Sequence, residues 1–231
     1  VDAVVVPTQA MAERLKELGV TVRMEVVPSG IDVAHFAAGK RDENLRAQLG
    51  VRRGERLLLA VGRLAKEKNL ELVLRALAIA NDASLKLAIA GDGPHRQALE
   101  EMARAGGIAG GTRFLGAVGR EALPDLYASA DAFVMPSTTE TQGLVLAEAL
   151  AAGALVIAAD APQNRDVLGG AGILVPPAAE PFAQALRSVP AVRENAEAEV
   201  ARTAAQLFAG TRQIDCMLAL YESLLRPARI A

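Results

Sequence analysis

Three stretches of this 231-residue chain carry residue types that could do chemistry. The first is Gly62-Arg63-Leu64-Ala65-Lys66-Glu67-Lys68-Asn69. A glycine lets the backbone turn tightly. Arg63 offers a planar fork of donors and Lys68 a compact ammonium, a pair that suits a diphosphate. The loop also reads as a solvated basic surface, because short motifs recur by chance. The second stretch is Glu140-Thr141-Gln142-Gly143-Leu144-Val145-Leu146-Ala147-Glu148, two carboxylates with seven residues between them. Gly143, Leu144 and Val145 are placed to open a helix, whose free N–H groups and dipole attract anions. Glu148 falls within an otherwise apolar face of that helix, so it needs a partner or a hydroxyl donor. A ribose diol would serve, and so would a core Lys or Arg. The third stretch, Gly91-Asp92-Gly93-Pro94, makes a turn for conformational reasons.

Other chemistries find little to use. His35 and His95 lie far apart, and His95 is expected at the surface start of a helix. Cys216 sits in an apolar helical pattern and is expected in the core; as the single cysteine it excludes an intramolecular disulfide and any multi-thiolate metal site. There is no Gly-x-Ser-x-Gly elbow, no Walker A and no strand-end Gly-x-Gly-x-x-Gly, so the sequence does not support nicotinamide dinucleotide binding. There is no Asp-x-Asp pair, so no metal or other cofactor is expected. A diphosphate's charge falls to Arg63, Lys68 and helix amides.

The elements that must position these residues alternate. Apolar runs predict strands at Leu57–Gly62, Leu85–Gly91, Arg113–Gly116, Ala132–Pro136, Ala154–Ala158 and Ile173–Val175. Helical patterns fall at Leu70–Ala80, Arg96–Ala105, Glu121–Ser129 and Gly143–Ala152, and from about Pro181 to the end with a break at Gly210. Such alternation argues for an α/β fold, a Rossmann-like, doubly wound parallel sheet with helices on both faces. Ligands of these sheets sit beyond the carboxyl ends of the strands. The loops to watch are therefore Gly62–Asn69, Gly91–Pro94, Gly116–Arg120, Ser137–Gly143 and Asp160–Arg165. Val1–Thr8, Gln9–Leu18 and Arg23–Val27 read as a separate β-α-β unit, and Gly30–Asp42 as a linker.

Composition narrows the class. Apolar residues make up 52% and charged residues 23%, which fits a globular protein and excludes intrinsic disorder. A formal net charge of -2 leaves no electrostatic footprint for nucleic acid. Aromatics at 3%, with no Trp, leave little for base-stacking platforms. No run reads as a signal peptide or a membrane span, so a cytoplasmic location is expected.

Taken together, these residues resemble the C-terminal half of family 4 (group 1) retaining glycosyltransferases, whose two facing Rossmann-like domains form the GT-B fold. Pro28-Ser29-Gly30-Ile31-Asp32 with Phe36 is similar to the family's lead-in to its donor domain. Val61-Gly62-Arg63-Leu64 to Glu67-Lys68-Asn69 resembles its basic loop, and Ile89 to Pro94 its next strand end. Phe114-Leu115-Gly116, Leu123-Pro124, Tyr127, Ala130-Asp131 and Phe133 to Ser137 follow in the family's order. Glu140 to Glu148 matches its E-x7-E motif, continued through Gly153. The resemblance covers nearly the whole chain.

The resemblance implies transfer of a hexose from a nucleotide-diphosphate sugar, with UDP-glucose first and GDP-mannose second, to an acceptor hydroxyl of a glycolipid or polysaccharide. Arg63 and Lys68 would hold the diphosphate. Glu140 would contact the sugar, and Glu148 the ribose. Gly143, Leu144 and Val145 would give amides to the distal phosphate. Val118 would line the base, and Gly62 would lie against the donor. Residues 1–30 read as a remnant of an N-terminal acceptor domain, 31–208 as the donor domain and 209–231 as a helix crossing back. The fragment is expected to bind donor without much transfer and to need the missing domain of the same polypeptide. A membrane surface, at its inner face, enters only for the full-length enzyme. Glu140-Thr141-Gln142-Gly143 resembles members acting on diacylglycerol-type lipids. Asp160–Arg165 is polar where many relatives have a glycine-rich turn. A sugar-nucleotide epimerase half and a stand-alone nucleotide-sugar-binding module are the alternatives.

Overall fold

A computed structural model describes residues 1–190 and 195–225. Six parallel strands form the main sheet: β3 (Arg56–Val61), β4 (Leu85–Ala90), β5 (Thr112–Gly116), β6 (Ala132–Met135), β7 (Leu155–Ala159) and β8 (Ile173–Val175). Their order is β5-β4-β3-β6-β7-β8. The chain therefore winds outward from β3 in one direction and from β6 in the other, as the doubly wound reading requires. The reversal falls between β3 and β6, where Leu58 pairs with Ala132 and Leu59 with Phe133. A reversal of this kind opens a crevice at the carboxyl ends of the two strands.

Burial follows from the alternation of side chains along a strand. Leu57 and Leu59 enter one apolar layer with Tyr127, Phe133, Leu146 and Leu150. Leu58 and Ala60 enter the opposite layer with Val73, Leu87, Ile89 and Phe182. Both faces are thus dry, which explains why these strands read as continuous apolar runs. The flanking helices are α4 (Leu70–Ala80), α5 (Arg96–Ala105), α6 (Leu123–Ser129), α7 (Leu144–Ala151) and α9 (Ala179–Arg187), then α10 (Asn195–Ala205) and α11 (Gly210–Leu225).

The first residues form β1 (Val4–Val6), α1 (Gln9–Glu17) and β2 (Met24–Val26), with the two strands paired in parallel as a sheet of their own. Thr8 caps α1, accepting from the Met11 amide. The unit is tied to the rest by the Ala10 amide donating to Asp166 at 2.8 Å and by Thr8 Oγ1 donating to the Thr141 carbonyl.

Four expectations need correction. The linker assigned to Gly30–Asp42 contains a helix, α2 (Val33–Ala37), and a second, α3 (Glu43–Gln48), follows at once. Asp32 and Asp42 cap them, each side chain accepting a backbone N–H. Next, Asp160–Arg165 is not an irregular turn. Pro162 opens α8 (Pro162–Leu168), because a proline at the first helical turn gives up an N–H that has no partner there. Thirdly, Gly143 precedes α7 in a left-handed conformation with φ 74° rather than forming its first turn. Lastly, Cys216 is half-buried, not core; on α11 only Leu220 is buried, and Leu218 is 55% exposed. The final-helix assignment to 209–231 reaches beyond the described residues, which stop at 225. Among the described residues, no helix is long and apolar enough to cross a membrane.

The α3 helix is anchored by a charge. Asp131, fully buried at the start of β6, accepts from Arg46 Nη1 at 2.9 Å, Arg41 Nη1 at 2.8 Å and the Leu57 amide at 2.6 Å. Arg46, itself buried, also donates to the carbonyls of Ser129 and Glu55. A buried carboxylate with its lone pairs satisfied is tolerable; stripped of a partner it is not.

Candidate functional site

A cavity of about 340 Å³ opens at the carboxyl ends of β3 and β6, walled by Val61 and Met135 with the loops that follow. Two strand-end loops fold onto each other to build one wall. The Leu64 amide donates to the Asp92 carbonyl and the His95 amide to the Leu64 carbonyl, both at 2.9 Å. Gly91, at φ 143°, lies so close to the Gly62 carbonyl that a Cβ there would stand 1.9 Å from it. The Gly91–Pro94 turn therefore positions the basic loop and has no other visible task. His95 bonds Glu71 at 2.7 Å at the start of α5, as expected for a surface helix-start residue; that bond is the first cause of a lowered Glu71 pKa.

The structure brings Arg63, Lys68, Glu140, Gly62, Gly143, Leu144 and Val145 to this one cavity. Arg63 is exposed. Lys68 Nζ donates to both oxygens of Glu140, at 2.8 and 2.9 Å. Their side chains are 31% and 13% exposed, so the pair lies on the cavity wall and not within the core. Ser137 and Thr139 hydroxyls both donate to the Glu67 carbonyl, which locks the loop carrying Glu140 to the loop carrying Lys68. Buried Asn164, in the first turn of α8, donates to the carbonyls of Ser137 and Ala159, so the polar Asp160–Arg165 stretch supports the site from behind. Gly143 adopts its left-handed turn between Glu140 and α7, leaving the N–H groups of Gly143, Leu144 and Val145 without a backbone acceptor among the described residues.

Gln142 gives the motif a structural role. Buried beside the cavity, its amide accepts from the Ser29 N–H at 2.8 Å and donates to the Ser29 carbonyl at 3.1 Å. Ser29 thereby becomes part of the wall. Beyond it, the Ile31 amide donates to the Phe208 carbonyl and the Gly210 amide to that of Ile31, so the lead-in and the start of α11 cross here.

Glu148 and Val118 do not line the 340 Å³ cavity. Glu148 lies one turn further along α7, and its partner is neither Lys nor Arg but Tyr127, whose hydroxyl donates to it at 2.9 Å. Burial raises the Glu148 pKa above the usual carboxylate range, opposed by the Tyr127 hydrogen bond and by the charges of Arg120 and His35. Burial, then Glu148 itself, holds the Tyr127 phenol well above its ordinary value. Tyr127 is fully buried, edge-on to Phe36 at 5.9 Å. Val118 is half-buried against the same apolar layer. Sequence reasoning missed Tyr127 as Glu148's partner and His35 and Arg120 as its electrostatic neighbours. The fold alone joins α2, α6 and α7. Among the described residues, no group of three or more His, Cys, Asp or Glu is placed to hold a metal ion.

This sheet, with this cavity at its reversal point, is a doubly wound α/β architecture, and comparison with known proteins places it in a family. Residues 41–205 match the family described as glycosyl transferases group 1, and the chain belongs to that family. It is 38% identical over 174 residues to an alpha-monoglucosyldiacylglycerol synthase of Streptococcus pneumoniae, covering 73% of this chain and 40% of that protein. It is 32% identical over 222 residues to a GDP-mannose-dependent alpha-(1-6)-phosphatidylinositol dimannoside mannosyltransferase of Mycobacterium tuberculosis, covering 94% of this chain and 57% of that one. The chain thus spans about half the length of these relatives. Its fold is that of Anabaena HepE, solved in complex with UDP-glucose, with a TM-score of 0.82 at 22% identity over 96% of this chain and 64% of that one.

Proposed function

We propose that this chain is the nucleotide-sugar-binding part of a retaining glycosyltransferase that moves a hexose from a nucleotide-diphosphate sugar to an acceptor hydroxyl on a glycolipid or polysaccharide. The observation that carries this reading is the wall where Arg63, the Lys68–Glu140 pair and the free amides of Gly143, Leu144 and Val145 meet. A diphosphate supplies the anion those donors lack. It takes Lys68 from Glu140, and Glu140 then accepts from sugar hydroxyls. As the glycosidic bond breaks, charge grows on the leaving diphosphate, and donors already aimed at it stabilise that charge most. No metal is required in this reading. In this reading Glu148, which lies outside the cavity and bonds Tyr127, is assigned the ribose, and Val118 is assigned the base.

The donor class is supported by the relatives, one an alpha-monoglucosyldiacylglycerol synthase and one a GDP-mannose-dependent mannosyltransferase, and by a fold neighbour solved with UDP-glucose. Both relatives act on lipids, which supports a lipid acceptor for the whole protein. We assign donor binding to this chain and transfer to the whole protein. Calorimetry of the chain with UDP, UDP-glucose and GDP-mannose tests the reading. Binding of at least one of them, weakened by about tenfold or more in Arg63→Ala and Lys68→Ala, is expected from the loss of a charge-assisted hydrogen bond. Affinities unchanged in both variants would sink it.

A further inference from the structure

The opposite end of the sheet carries a second concentration of cations. Arg41, Arg46, Arg52, Arg53, Lys86 and Arg113 surround a concave space of about 930 Å³ at the amino ends of β3, β4 and β5. Against these six cations stand three carboxylates, Glu43, Glu55 and the buried Asp131. Asp131 and Glu43 are taken by Arg41 and Arg46. Glu55 is taken by the Arg52 amide at 2.7 Å and by Lys86 at 3.3 Å. Three guanidinium groups are left over. Arg52, Arg53 and Arg113 are exposed; the Arg52 charge acts on Glu55, but among the described residues none of the three makes a direct ion pair or a side-chain hydrogen bond. Arg113 reaches from the edge strand β5 across to the 50–54 loop, where a Cβ on Gly50 would stand 3.3 Å from its Nη2. Other surface arginines do sit beside carboxylates, as Arg14 does with Glu17, Arg96 with Glu100 and Arg165 with Asp160, but only here do three unpaired ones line one concavity among the described residues.

We propose that this concavity is a binding site for a phosphate-bearing ligand, separate from the cleft at the other end of the strands. Guanidinium forks match phosphate oxygens in pairs. A positive patch on a chain of net charge -2 reflects local placement and not overall charge. Arg41 and Arg46, pinned on Asp131, form a fixed wall, and Arg113 rises from a strand. Six residues of β3 separate it from the cleft, on the order of 17 Å. The phosphate could belong to a soluble ester or to a lipid headgroup, and the experiment separates the two sources.

The chain, Arg63→Ala and the triple variant Arg52→Ala/Arg53→Ala/Arg113→Ala are each titrated with inorganic pyrophosphate in a calorimeter. Each is also floated with vesicles of phosphatidylglycerol in phosphatidylcholine and of phosphatidylcholine alone. The three arginines are exposed, so thermal melts of the triple variant are expected to match the parent. A pyrophosphate component that survives Arg63→Ala and weakens at least tenfold in the triple variant assigns a soluble phosphate. Flotation with phosphatidylglycerol that is lost in the triple variant assigns a headgroup. A triple variant that behaves as the parent in both arms overturns the proposal, as does binding in neither.

Discussion

Two carboxylates at opposite ends of the sheet hold cations in contrasting ways. Asp131, at the amino end, is sealed from water and accepts from two arginines and a backbone amide. Glu140, at the carboxyl end, holds Lys68 alone on a cavity wall. The first arrangement leaves nothing to exchange, since breaking any bond strands a charge in a dry interior. The second can trade its partner for a ligand at little cost, because water and solute reach both groups. Ion pairs of similar length thus sit in contrasting surroundings, one sealed in the core and one on a cavity wall, and burial decides which of them a solute can reach.

The sharpest way to break this contrast is to delete each carboxylate. Asp131→Ala should cost about 3–5 kcal/mol of folding stability by leaving buried Arg46 with only the exposed Glu43, 3.5 Å away, to offset its charge. Glu140→Gln should cost at most about 1 kcal/mol, as partly exposed pairs do. Urea unfolding of both variants measures this, and equal losses would erase the distinction. Gly91→Ala comes next. Its Cβ would collide with the Gly62 carbonyl, so the basic loop must move. A loss of roughly 1–3 kcal/mol is expected, in the range for strain at a special backbone position. Nucleotide affinity should fall with it although the substituted residue carries no charge. Wild-type affinity in a destabilised Gly91→Ala protein would detach the loop's position from binding.

Much of this was legible in the chain, for physical reasons that differ by region. β3, β4 and β6 are dry on both faces, so their apolar runs had no polar alternation to confuse them. The strand-end loops could therefore be located, and Arg63, Lys68 and Glu140 do meet. What local pattern cannot show is which side chain a carboxylate will find across the fold. Glu148's bond to Tyr127 spans 21 residues and Arg46's to Asp131 spans 85. The short helices were missed for another reason. Asp32, Asp42 and Pro162 are valid start signals, but each opens a helix of only five to seven residues, too short to show a helical period. Asp131 was noted only as part of a family motif. Its partner Arg46 lies between the linker and the first strand of the main sheet, where the sequence assigned no element, so the anchor was invisible until both were placed.

Glu148 falls between the two extremes and sharpens the comparison by its pH dependence. It is half-buried, as Glu140 is, yet among the described residues it has no cation in direct contact, only the Tyr127 hydroxyl. Its folded-state pKa is raised, first by burial, whereas in the unfolded chain it returns to the ordinary carboxylate value. The ionised side chain therefore penalises the folded state above the raised pKa. The penalty fades as pH falls through that value and is gone below the ordinary one. Glu148→Gln keeps an acceptor for Tyr127 and removes the charge. It should stabilise the protein at neutral pH by roughly 0.5–2 kcal/mol, and the gain should vanish near pH 4, about the ordinary glutamate value. Melts of both proteins at the two pH values measure it. The same variant should bind the nucleotide more weakly, because a ribose diol would lose its anionic acceptor. A variant less stable than the parent at neutral pH would mean that Glu148 is held as Asp131 is, by compensation complete enough to make its charge structural.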